Sequence, residues 1–267
     1  MPVVHTGALG RSAATKPSIE DRYMRSSIRY FAAGILLFGV VPSRPVTAQQ
    51  TGVAARTRTY FIAADEVPWD YVPGARDRIS GRPYADTAFF AKGAPRPVST
   101  IYRKMLYREY TDSTFTTLKP RPPEWAHLGF LGPLIRAAVG DTIRVVFRNN
   151  GARSYSVHPH GVFYDKSSEG APYNDGTSGA DKADDGVPPG GTHVYVWPVP
   201  ERAGPGPMDG SSVLWMYHSH VDDVRDINTG LFGPMIVTAR GKARADGSPI
   251  DVDREIVASF MQEEEQD

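Results

Sequence analysis

The chain contains no cysteine. Disulfides, thiolate zinc sites and cysteine nucleophiles are therefore excluded. So is a blue-copper centre, whose two-histidine, one-cysteine site needs a thiolate. An excess of one charge is also missing: 30 Lys and Arg face 30 Asp and Glu, and no basic stripe stands out. Nucleic acid is accordingly not an expected partner. After residue 50 no amphipathic stretch of helical period runs for a dozen residues. What the chain does have is 26 glycines and 23 prolines among 267 residues, which suits a loop-rich β protein better than a helix bundle. Its hydrophobic fraction of 40% suffices for a packed core, and its length for one or two domains.

Residues 1–23 are polar and patternless. From Met24 the composition changes. Arg25 and Arg29 form a basic region, Tyr30 to Val41 an apolar core, and Val46-Thr47-Ala48 a small-residue cleavage site, so that Gln49 would begin the mature chain. The apolar run is too short to span a bilayer comfortably. A buried helix and an N-terminal anchor are the competing readings. Residues 1–48 are expected to be an upstream extension plus a signal peptide, with Met24 the true start and the mature protein secreted or periplasmic.

From about residue 56 turn residues recur at short spacing, separated by short β-rich runs: Arg58–Ala63, Thr100–Tyr110, Thr142–Arg148, His193–Val199, Val213–His218 and Met235–Ala239. In Thr142-Ile-Arg-Val-Val-Phe-Arg148 the apolar Ile143, Val145 and Phe147 alternate with Thr142, Arg144 and Arg148, as in a half-buried strand. Gly140-Asp141 before it and Asn149-Asn150-Gly151 after it are turn chemistry. Many short strands between turns predict an all-β sandwich or barrel. Residues 165–192 form a long loop rich in Gly, Asp, Ser and Pro. Arg254 to Phe260 reads as a further strand beyond the Gly241–Gly247 linker, with nothing in this domain to pair with. No internal repeat is present.

Of seven histidines, His5 lies in the leader, and His127 and His193 fit surface or core roles better than ligand roles. The other four form two His-x-His pairs, His158/His160 and His218/His220. Alternate residues on a strand point to one face, so each pair sets two imidazoles side by side. Pro159 stiffens the first pair, and Gly161 after it permits close backbone approach. One such pair recurs by chance; two in a β domain point to a shared metal site. Four neutral imidazoles suit copper or zinc, and the affinity order favours Cu(II) where copper is available.

The segments Gly140-Asp141-Thr142, Asn149 and His158-Pro-His160-Gly161 resemble the first copper motif of multicopper oxidases. Trp215-Met-Tyr-His218-Ser-His220 with Gly230-Leu-Phe-Gly233 resembles the second. Longer stretches are similar to the ceruloplasmin, hephaestin and coagulation factor V/VIII A-domain group. They are Trp69-Asp-Tyr, Tyr110-Thr-Asp-Ser-Thr-Phe115, Leu128-Gly-Phe-Leu-Gly-Pro-Leu-Ile-Arg136 and Asp184-Asp-Gly-Val-Pro-Pro-Gly190. The resemblance implies a cupredoxin-like Greek-key β-sandwich over residues 56–241, and the start of a second cupredoxin domain at 250–267.

It further implies that His158 binds a type 2 copper, and that His160, His218 and His220 bind a type 3 pair. These four would be half of a trinuclear cluster that reduces O2 to water. The other half comes in the family from His-x-x-His-x-His and His-Cys-His motifs, neither of which this chain contains. The resemblance therefore implies an oxidase that is incomplete as this chain alone. A second cupredoxin domain, in cis or in trans, or further copies of the chain would have to complete it. The reducing substrate, Fe(II), Cu(I) or a phenol, is not legible. A copper-binding module without turnover is the alternative, and a structural scaffold a third reading. In the long loop, Glu169, Asp175, Asp181, Asp184 and Asp185 are either a solvated acidic loop or, as hard oxygen donors, a calcium site. By resemblance the calcium ligands would be Asp181, Asp184, Asp185 and the Lys166 carbonyl.

Overall fold

The computed structural model describes residues 54–74, 76, 80–81 and 100–261. The leader, His5 and the last six residues lie outside the described residues. Among the described residues eight strands run in chain order: β1 Thr57–Asp70, β2 Ile101–Tyr110, β3 Ile135–Ala138, β4 Thr142–Asn149, β5 His158–Pro159, β6 Thr192–Pro198, β7 Ser212–His218 and β8 Phe232–Thr238. An α-helix, α1, spans Asp223–Thr229. Among the described residues no helix is long and apolar enough to cross a membrane.

The strands make two four-stranded sheets, ordered β2-β1-β4-β6 and β3-β8-β7-β5. Strand β1 is antiparallel to β2 but parallel to β4, and β3 is parallel to β8. These neighbours, distant in the chain, are Greek-key connections. The expected all-β cupredoxin-like sandwich is therefore the fold. In β4 the predicted alternation holds: Ile143, Val145 and Phe147 are fully buried, while Thr142, Arg144 and Arg148 are only partly so. With β6 they pack Tyr195 and Trp197 inward, against Ile135, Ala137, Tyr217, Met235 and Val237 of the facing sheet. Burying each large side chain contributes about 1.5–3 kcal/mol.

Strand β8 is buried along its whole length. Met235 and Val237 enter the inter-sheet core, while Ile236 joins Leu128, Leu131, Phe232 and Val257 in a second cluster. Successive strand residues point to opposite faces, so this second cluster covers the outside of the sheet. The segment expected as a strand at Arg254–Phe260 forms no ladder. It lies instead along this outer cluster, with Val257 buried and Arg136 paired to Glu255 at 2.6 Å.

Two polar residues set the loops around the ends of β4. Asp141 accepts from the Ala138 and Arg56 amides and from Arg58 Nε, at 3.0, 3.0 and 2.5 Å. Burial pushes its carboxyl up, but these donors outweigh it and hold the pKa below the usual value. Asn149 donates to the carbonyls of Arg153 and Val187 and accepts from the Gly151 amide. That side chain folds the chain back after β4 and delivers it to β5.

Candidate metal centre

Strand β5 is only two residues long, and it places the first histidine pair. It is antiparallel to β7, with His158 opposite His218. The His160 amide donates to the Met216 carbonyl at 2.9 Å, extending the register past β5. All four predicted rings come together. Centroids are 5.3 Å apart for His158–His160, 5.6 Å for His158–His218, 5.0 Å for His158–His220, 5.1 Å for His160–His218 and 5.4 Å for His218–His220. His158 and His218 are buried, whereas His160 is exposed and His220 half-buried.

The ring nitrogens are sorted by their partners. His158 donates Nδ1–H to the Glu169 carbonyl at 2.6 Å, and His218 donates Nδ1–H to the Ser219 carbonyl at 2.9 Å. Each ring is thereby left with Nε2 as its lone-pair nitrogen. His218 Nε2 faces His160 Nε2 across 2.9 Å. Burial pushes the His158 pKa down to about 4, with the charges of the other three histidines acting the same way against the Glu169 bond. Burial also lowers His160 and His218. Near neutral pH these imidazoles are therefore unprotonated, the form a metal binds.

Two serines lock the motifs to each other. The Ser156 amide donates to Ser219 Oγ at 3.1 Å, and the His220 amide donates to Ser156 Oγ at 3.0 Å. Ser219 Oγ donates in turn to the buried Asp226 of α1 at 2.6 Å, and Ser156 Oγ to the Gly170 carbonyl at 2.6 Å. Tyr107 reaches across from the first sheet to the Ser156 carbonyl at 2.5 Å. Gly161 has φ +81°, and a Cβ there would lie 2.2 Å from the Trp215 ring. Gly170 has φ +70° and would meet the Val157 carbonyl at 2.4 Å. Sequence reasoning missed Ser156, Ser219 and Asp226. The only signal was the placement of Ser219 between two histidines. It also missed two tyrosines at the rim, Tyr164 against His158 at 5.7 Å and Tyr173 against His220 at 5.3 Å.

The other described histidines, His127 and His193, lie elsewhere. His127 faces the carbonyls of Glu124 and Val257, and His193 that of Ser167. In the acidic loop Asp184 is fully buried. Its Oδ2 accepts from the Gly170 amide at 2.7 Å, and its Oδ1 has no hydrogen-bond partner among the described residues. Burial raises its pKa. Asp181 is exposed, and Asp185 pairs with Lys182 at 3.1 Å. The Lys166 ammonium bridges Glu169 and Asp175. Among the described residues, no three His, Asp or Glu side chains surround one point closely enough to hold an ion. The three loop aspartates are thus not gathered into a cage; of the four imidazoles His160 and His218 are stacked, and His158 meets the others edge-on.

Residues 125–242 match the family model described as Multicopper oxidase. This region is a cupredoxin domain of the multicopper oxidase type. Over 213 residues the chain is 49% identical to a protein named Ferroxidase HEPHL1 from Mus musculus, covering 78% of this chain and 18% of that one. It is 41% identical to Hephaestin from Homo sapiens over 85% of this chain and 20% of that one. It is 38% identical to Ceruloplasmin from Homo sapiens over 86% and 22%. The chain thus spans about a fifth of the length of these relatives.

The family implies copper, and the donor set of this multicopper oxidase domain fits it. The four candidate donors are imidazoles; in His158 and His218 the hydrogen bond at Nδ1 leaves Nε2 as the lone-pair nitrogen, and that of His218 faces His160 Nε2. Two nitrogens 2.9 Å apart can share an ion that binds each at about 2.0–2.1 Å.

Proposed function

We propose that this domain supplies one wall of the trinuclear copper cluster of an exported multicopper oxidase. His158 would hold the type 2 copper, and His160, His218 and His220 the type 3 pair. The observation that carries this reading is the approach of His160 Nε2 and His218 Nε2, one from each motif, to 2.9 Å. Bound there, copper supplies one-electron redox chemistry toward O2. The chain's own residues hold the donors still. Glu169 and Ser219 carbonyls fix the tautomers of His158 and His218, the Ser156–Ser219 pair fixes the two backbones, and burial keeps His158, His160 and His218 unprotonated. The remaining ligands would come from a cupredoxin domain carrying His-x-x-His-x-His and His-Cys-His, to which residues 250–267 lead or which a partner chain brings. A relative named as a ferroxidase supports Fe(II) as the electron donor. The leader read from Met24 to Ala48 supports a secreted or periplasmic site of action.

The test is copper stoichiometry together with O2 consumption in the presence of Fe(II). The chain alone should take up copper at the histidine pairs without turnover above that of free copper. Joined to a cupredoxin domain bearing the missing motifs it should turn over, and His218→Ala should abolish the gain. Oxidase turnover by the chain alone, or copper uptake indifferent to His158→Ala and His218→Ala together, would overturn the reading. Copper uptake with no turnover in either setting would identify a binding module.

We also read the acidic loop as a calcium site, because Asp184 Oδ1 is buried without a hydrogen-bond partner among the described residues. Asp181, Asp185 and the Lys166 carbonyl would join it as the ion draws the loop in. Calcium should raise the thermal midpoint and a chelator lower it again; a midpoint insensitive to both would discard this site.

A further inference from the structure

His218 differs from His158 in what holds its ring. The Nδ1–H of His158 meets the backbone carbonyl of Glu169. The Nδ1–H of His218 donates to the Ser219 carbonyl at 2.9 Å, and the Asp223 carboxylate lies beside the same nitrogen, its Oδ1 at 2.9 Å, as a neighbouring charge. Asp223 is the first residue of α1, and its side chain is about half exposed, at 49%. The other acids of this helix end are committed elsewhere: Asp222 pairs with Arg153 at 3.2 Å, and Asp226 accepts from Ser219 Oγ.

A carboxylate on the far nitrogen of a ligating imidazole orients the ring and raises its basicity. The Ser219 carbonyl by itself already fixes the tautomer, so what Asp223 adds is negative charge. We propose that Asp223 is a positioning residue that, through Nδ1 of His218, makes this imidazole a stronger copper(II) donor than the carbonyl-held His158. The inference rests on His218 being a copper ligand. Charge beside the ligand favours the doubly charged ion over the singly charged one, because the attraction scales with the charge of the metal.

The experiment compares the full chain with Asp223→Asn, Asp223→Glu and His218→Ala. Affinities for Cu(II) and Cu(I) are measured separately by competition with chromophoric chelators, and the metal-free thermal midpoint is recorded for each. Asp223→Asn should weaken Cu(II) binding about tenfold, the low end of what loss of such a partner costs. It should weaken Cu(I) binding only about threefold, half the effect on a logarithmic scale. Asp223→Glu should restore both, and all metal-free midpoints should agree. Unchanged Cu(II) affinity in Asp223→Asn, or equal losses for the two ions, would overturn the proposal while leaving the copper site intact. Copper uptake unaffected by His218→Ala would instead remove the site on which it rests.

Discussion

His158 is nearly enclosed and is held as a neutral base by burial, its pKa pushed down to about 4. In the unfolded chain the same imidazole titrates near the ordinary value of about 6.5. Between these values the unfolded chain binds a proton that the folded chain refuses, so stability rises with pH across that window. The metal-free protein should therefore be most stable above about 6.5 and lose stability as pH falls toward about 4, levelling off below it. Urea midpoints taken across this range check it. His158→Gln, which cannot titrate there, should flatten the slope, and an unchanged slope would place the effect in other groups. At this scale the sequence made legible which four histidines come together, since two His-x-His pairs stand out by spacing alone. It was silent on tautomers, because these depend on the Glu169 and Ser219 carbonyls.

At the scale of elements, the strands with clear alternation were legible and the short ones were not. Ile143, Val145 and Phe147 announce β4, whereas the two residues of β5 carry no period to read. The four residues of β3 are apolar on both sides of Arg136 and likewise give none. Arg254–Phe260, read as a strand with nothing in this domain to pair with, forms no ladder here and packs through Val257 and Glu255. Gly161 shows how an element fixes the site. It turns the chain directly after His160, in a left-handed conformation and against the indole of Trp215. Gly161→Ala should cost about 2–3 kcal/mol from the strained φ and the overpacked contact together. Trp215→Phe in the same background should recover part of the loss by relieving the contact but not the φ. Chemical denaturation of the single and double variants separates the two contributions.

For the molecule as a whole, the sandwich has two apolar clusters with separate duties. The inter-sheet cluster sets the two histidine motifs against each other, while the outer cluster closes over β8 with help from Val257. Ending the chain before Arg254 should remove about 2–4 kcal/mol, from exposed apolar surface and from Arg136 left without Glu255. Copper uptake at the histidine pairs should survive, because among the described residues the contacts of that segment go to Arg136, His127 and the outer cluster. Thermal unfolding and copper titration of the shortened protein test both halves of this expectation. The sequence by itself determined the all-β class, the exclusion of thiolate chemistry and the four histidines, because composition, alternation and motif spacing are local properties. Only the tertiary structure decided that His160 Nε2 and His218 Nε2 meet, that Ser156 and Ser219 lock their backbones, and that Asp223 reaches His218. His160 and His218 are 58 residues apart, and no local pattern fixes a distance that the pairing of β5 with β7 creates.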